Sequence, residues 1–132
     1  MRLNRGGFRQ LSLVAIAIAF LGMSVSFPAG AGSLADKATA ELNAFGEHAG
    51  YIVATIHPCG GNGAEVGFFV GQVKKMLEAI GADDADIGVA LVALAVAQSE
   101  AKPVGRDCTD EGGLTLATKL GKLRDAVRDA GK

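Results

Sequence analysis

Two cysteines set the strongest constraint on this chain. Cys59 and Cys108 stand 49 residues apart in a sequence of 132 and are the only two it has. Cys59 lies in the stretch His57-Pro58-Cys59-Gly60-Gly61-Asn62-Gly63, which breaks a long helical pattern, and Cys108 lies in a loop from Lys102 to Asp110 that holds Pro103 and Gly105. Two cysteines permit one connectivity, and an oxidising compartment would keep that bond closed. In a reducing compartment they would be free thiols, so the destination of the chain decides what they are.

The start of the chain speaks to destination. Residues 1–10 carry Arg2, Arg5 and Arg9 and no acid, Leu11 to Val25 is a nearly unbroken apolar run of 15 residues, and Ser26 to Gly32 is small and turn-prone. That pattern is a secretory signal peptide, and Ala29-Gly30-Ala31 offers a small-x-small cleavage site with the cut after Ala31. The run is shorter than the roughly 20 residues a membrane-crossing helix needs. The arginines are not adjacent, which argues against twin-arginine export, and no cysteine near the site would take a lipid. The expectation is residues 1–31 as a signal peptide and residues 32–132 as one domain, periplasmic or secreted, the alternative being an uncleaved N-terminal anchor.

Without the three leader arginines, 10 basic side chains face 14 acidic ones, with no basic block. Such a balance supplies no electrostatic footprint for nucleic acid or for an anionic membrane surface.

Periodicity places four helices on the remaining residues. From Ser33 to Ile56, Leu42, Phe45, Ala49, Ile52, Val53 and Ile56 form one stripe, with Lys37, Glu41, His48 and Thr55 on another side and Ser33 as the expected cap. Gly46 and Gly50 inside this helix imply either a close backbone approach or a bend. Asn62 caps a second helix, Gly63 to Ile80, with Val66, Phe69, Val70, Val73, Met76, Leu77 and Ile80 in register and Gly81 as the stop. Gly63, Gly67 and Gly71 form a small-residue ridge on it, expected to pack within the bundle or to meet a partner, and Phe68 lies off the main stripe. Asp83 or Asp84 caps a third helix to about Ala101. Its core from Ile87 to Ala97 has no charge, which predicts burial on every side. A fourth helix from Gly113 to Ala130 aligns Leu116, Leu120, Leu123 and Val127, with Asp110 and Glu111 preceding it and Lys119, Lys122, Arg124 and Arg128 in its later turns.

Short connections make these helices antiparallel neighbours in sequence, so the predicted fold is all-α, a small four-helix up-down-up-down bundle. That path puts the end of helix 1 and the link between helices 3 and 4 at one pole, and Cys59 and Cys108 lie in those two places. One disulfide between them is the expected outcome.

Candidate chemistry is sparse. His48 and His57 are nine residues apart and so half a turn out of phase on a helix, and His57 with Cys59 gives two metal ligands where three or four are usual. A cysteine nucleophile needs a free thiolate and a base, and Gly60-Gly61-Asn62-Gly63 lacks the lysine and hydroxyl residue of a phosphate loop. Asp83, Asp84 and Asp86 lack the glycine turn and distal glutamate of a calcium loop and are expected to act as caps. No catalytic residue, metal site or cofactor is expected.

The layout resembles the HdeA-like acid-stress chaperones of the bacterial periplasm. The likeness is carried by Cys59, Cys108 and the stretch Cys108-Thr109-Asp110-Glu111 leading to Leu114 and Leu116; it departs where a full helix precedes the first cysteine. The resemblance implies an exported, non-enzymatic protein that holds unfolded clients. Gly63, Gly67, Phe68 and Gly71 are the candidate interaction surface, toward a protein partner, an unfolded client or a second copy of the chain. The competing expectation is an interaction protein of the toxin-immunity or bacteriocin kind.

Overall fold

The computed structural model describes residues 32–132; the expected signal peptide lies outside the described residues. Four helices follow one another: α1 Ser33–Ile56, α2 Gly63–Ala79, α3 Asp84–Glu100 and α4 Asp110–Ala130, with a 3-10 turn Gly105–Cys108 before α4. No strand occurs among the described residues, and Cys59 is bonded to Cys108. The fold is an all-α bundle closed by one disulfide.

Local chemistry fixes the ends of the helices. Past Ile56 the backbone continues helically to Cys59 and then turns at Gly60, whose φ of 91° is natural only for glycine. There Gly61 N–H donates to the Ile56 carbonyl at 2.7 Å and Gly60 N–H to that of His57 at 3.0 Å, the paired bonds of a Schellman stop. α2 ends the same way at Gly81, with φ 94° and bonds from Ala82 to Leu77 and from Gly81 to Glu78. Asn62 caps α2 by accepting from Glu65 N–H, and Asp83 caps α3 in a reciprocal box with Asp86. α4 starts at Asp110 rather than Gly113, because the Thr109 hydroxyl accepts from Gly112 N–H at 3.0 Å. Asp110 and Glu111 therefore occupy its first turn, where the helix dipole favours an anion.

The start of α1 differs from the sequence expectation. Ser33 is exposed and the N-cap is Gly32, which has no side chain to accept a bond. The cap comes from another helix: Ala35 N–H donates to Asp86 Oδ1 at 2.8 Å, while Asp86 Oδ2 accepts from Asp83 N–H at 3.1 Å. Asp86 is wholly buried, so one carboxylate closes the N-termini of both α1 and α3.

That bond also sets direction. Ala35 meets Asp86, Gly46 meets Ala90 and Gly50 meets Leu94, so α1 and α3 run parallel. His48 meets Leu116, Tyr51 meets Asp107 and Leu34 meets Gly131, so α4 runs antiparallel to α1. The helix that packs most intimately with α1 is α3, followed by α4; α2 touches α1 and α3 lightly.

Close approach, not a bend, explains the glycines of α1. A Cβ on Gly46 would overlap the Ala90 carbonyl oxygen, and one on Gly50 would overlap that of Leu94, with Ala93 and Ala97 beside them. Gly46→Ala and Gly50→Ala must push two backbones apart, and each is expected to cost about 1 to 3 kcal/mol. Around Gly63, Gly67 and Gly71 a Cβ would meet nothing within 4 Å. Packing of that ridge inside the bundle is therefore corrected: among the described residues nothing packs against it. Gly67→Ala and Gly71→Ala are expected to stabilise by up to about 1 kcal/mol through helix propensity. Thermal denaturation followed by circular dichroism checks the opposite signs.

The most enclosed helix is α1, not α3. Its buried set runs round the helix and includes Leu42, Phe45, Ala49 and Val53 together with His48 and Thr55, which the periodicity had placed on another side. α3 buries only Asp86, Ile87, Ala90 and Leu94. Its partner helices cover one face and leave Val92 and Val96 in solvent, at 66% and 52% exposure. The core joins these residues to Val73 and Leu77 of α2 and to Leu120 and Val127 of α4.

Candidate binding face

α1 presents one edge, Asn43-Glu47-Tyr51, at intervals of four residues, so these side chains stack along one line of the helix. α3 lies to one side of this edge and α4 to the other, and a shallow groove runs along each boundary. Glu47 and Tyr51 line both grooves.

On the α4 side, two polar links cross the boundary. His48 Nε2 lies 2.8 Å from the Leu116 carbonyl oxygen; a carbonyl only accepts, so Nε2 carries the proton. Burial pushes the imidazole below its ordinary pKa, the carbonyl bond opposes that, and the Lys119 ammonium lowers it further. One turn on, the Tyr51 hydroxyl donates to Asp107 Oδ2 at 2.5 Å, and Val104 N–H donates to the same oxygen at 2.9 Å. These bonds, Tyr51's first, hold the Asp107 carboxyl below the usual carboxylate range, and the Tyr51 hydroxyl is raised in turn. Tyr51 thus anchors the 3-10 turn that carries Cys108.

On the α3 side the groove is lined mainly by valine and alanine. Val92, Val96 and Glu100 recur every four residues along one wall, Glu47 and Tyr51 stand on the other, and Ala93 and Ala97 form the floor. The floor is alanine because Gly46 and Gly50 bring the two backbones so close. The groove is open to solvent, with a volume of about 560 Å³ beside about 630 Å³ for the one on the α4 side. Neither Glu47 nor Glu100 has an ion-pair partner within 4.0 Å among the described residues, whose ion pairs lie in the 3-10 turn and on α4.

Of the residues singled out from sequence, His48 lines the α4-side groove and the others lie elsewhere. Cys59 and Cys108 are bonded at an exposed pole, with 5.1 Å between their Cα atoms. Phe68 is 70% exposed on α2, beside the open Gly63, Gly67 and Gly71 line, and none of the four lines either groove. His57 is exposed, and no group of three His, Cys, Asp or Glu side chains among the described residues is placed to hold a metal ion. Among the described residues no helix is long and apolar enough to cross a membrane. Val92 and Val96 were missed because an uncharged helix segment signals burial, and the sequence does not say how many neighbours will cover it. Comparison with family models, with curated proteins and with solved structures finds no match to this chain.

Proposed function

We propose that this chain is an exported, non-enzymatic protein that binds apolar segments of unfolded clients, a stress-protective holdase of the periplasm. The observation that carries this reading is the apolar surface left in solvent on a disulfide-closed bundle: Val92 and Val96 on α3, with Leu114 of α4, Val104 and Phe68 also exposed. Scattered exposed apolar residues are ordinary, and Leu114, Val104 and Phe68 are of that kind, but Val92 and Val96 stand one turn apart beside a groove, where an apolar line left in solvent favours an interaction site.

Acid would enlarge that surface. Below pH 6.5 an unfolded histidine takes up a proton more readily than His48 does in its buried position, so the stability present above that pH is lost as pH falls toward the lowered folded value. Asp107 adds stability above the ordinary carboxylate range, lost as pH falls through its own depressed value. Both groups tie α1 to the α4 side. Protonating the acids in the helix first turns removes dipole contacts of about 0.3 to 1 kcal/mol each. Near pH 2, the 10 Lys and Arg, two His and an amino terminus leave about 13 positive charges to repel one another.

The test is aggregation of an acid-labile client at pH 2 to 3 with and without the disulfide-bonded protein, beside binding of a dye that reports apolar surface. Dose-dependent suppression of aggregation and dye binding that rises as pH falls are expected. A fold that stays dye-silent at pH 2, or loosens without protecting the client, removes the holdase reading. A second reading, an interaction protein of the toxin-immunity or bacteriocin kind, is favoured by the open glycine line beside Phe68. It predicts a single partner at fixed stoichiometry, lost on Gly67→Leu, and no client protection.

A further inference from the structure

We propose that near neutral pH, where carboxylates carry charge, the groove between α1 and α3 receives a cationic amphipathic helix; this rests on the reading that this protein binds other proteins through apolar surface and not on its action in acid. Three features of the groove converge on that occupant.

The first is shape. Its walls are two parallel rows of side chains, each repeating every four residues: Val92, Val96 and Glu100 on α3, and Asn43, Glu47 and Tyr51 on α1. Because α1 and α3 run side by side, the rows flank a straight trough about two helical turns long, roughly 12 Å. A trough bordered by ridges at this spacing matches the ridge of a third helix, as in ordinary helix packing. An extended strand has no comparable match, since its side chains alternate at a period of two and α3 offers no free backbone groups to pair.

The second is depth. Ala93 and Ala97 floor the trough because Gly46 and Gly50 let the backbones nearly touch. The floor therefore admits side chains from an incoming helix at positions i and i+4, between the exposed valines and the Tyr51 ring. The valines at 66% and 52% exposure are the apolar surface such a docking would remove from water.

The third is charge. The only ionised side chains lining the trough are Glu47 and Glu100, one on each wall, and neither has an ion-pair partner within 4.0 Å among the described residues. Among the described residues no lysine or arginine lines it. Two carboxylates on opposite walls leave the trough negative along its length. An anionic helix would meet like charges, and a neutral one would leave the carboxylates without partners beside desolvated apolar contacts. A helix with Lys or Arg flanking its apolar line pairs with both.

The experiment uses two fluorescent 18-residue peptides with one pattern of Leu and Ala, the polar positions being Lys in one and Glu in the other. Binding to the purified disulfide-bonded protein is read by anisotropy at neutral pH and low salt, and helix formation by circular dichroism. The Lys peptide is expected to bind, gain helicity and weaken with salt, with the Glu peptide about tenfold weaker or more. Glu47→Lys with Glu100→Lys should reverse that preference, and Val92→Ser with Val96→Ser should abolish binding of both. All four positions are exposed, so unchanged melting of the variants confirms the fold. Equal affinity for the two peptides, or a preference that survives charge reversal, overturns the proposal. So does the absence of peptide binding, and if client protection persists in that case the holdase reading stands while this inference falls.

Discussion

Replacing Asp86 by alanine is expected to lower stability by about 3 kcal/mol or more, one of the largest single-site effects in the molecule. The carboxylate accepts from Ala35 N–H on α1 and from Asp83 N–H at the head of α3, and it is wholly buried. Loss of an N-cap costs about 1 kcal/mol; α1 loses its cap here, while α3 keeps Asp83 as its cap and loses the reciprocal half of its capping box. A buried donor left without a partner adds about 1 to 3 kcal/mol. The parallel arrangement makes the site more demanding still, since the positive ends of two helix dipoles meet at one pole and Asp86 is the anion between them. Asp86→Asn keeps the size and an accepting oxygen but removes the charge, so it should cost less than alanine and more than a surface change. Urea denaturation of the two variants measures both. A midpoint for Asp86→Ala within error of the parent would show that the α1 and α3 termini are held by something else.

Cys59→Ser, or Cys108→Ser, is expected to cost about 3 to 4 kcal/mol. The bond closes a segment of 49 residues that contains α2, α3 and the 3-10 turn, and cross-linking a loop of that size removes chain entropy from the unfolded state worth about that much. On a domain whose total stability is of order 5 to 15 kcal/mol, the melting temperature should drop by tens of degrees while a helical spectrum persists in the cold. Both cysteines are exposed, so a mild reductant should reproduce the loss without mutation. Intact mass before and after alkylation, without reduction, should show no thiol available. An unshifted midpoint in the serine variants would show that the helices hold the pole unaided.

Much of this fold is legible in the sequence, and the boundaries that were legible have local causes. Asn62, Asp83, Gly60 and Gly81 act on neighbours within five residues, so their chemistry announces α2, α3 and the ends of α1 and α2. The disulfide follows from a cysteine count that permits one pairing, from the expected export, and from helix directions that bring both cysteines to one pole. What the sequence hides is set at long range. Ser33 has the right chemistry for a cap, yet the α1 start is closed by a residue 51 positions away. His48 and Thr55 sit off the apolar stripe of α1 and are buried because α4 happens to cover that side. Uncharged α3 looks like the central helix, but centrality went to α1, whose glycines let α3 come close on one side while α4 covers another. The candidate binding face was invisible for the same reason: Val92 and Val96 differ from Ala90 and Leu94 only in what lies opposite them.

The pairing of α1 with α3 across α2 also orders events in time. A chain delivered from its N-terminus presents α1 first, yet the surfaces that enclose Leu42, Phe45 and Val53 belong to helices that begin at Asp84 and Asp110. Until roughly the last quarter of the chain has emerged, the most enclosed helix lacks its full cover, and Cys59 has no Cys108 to meet. Contacts this distant along the chain make a helical domain fold more slowly than its size suggests. The newborn protein therefore spends its early life as a client of the kind it is proposed to protect.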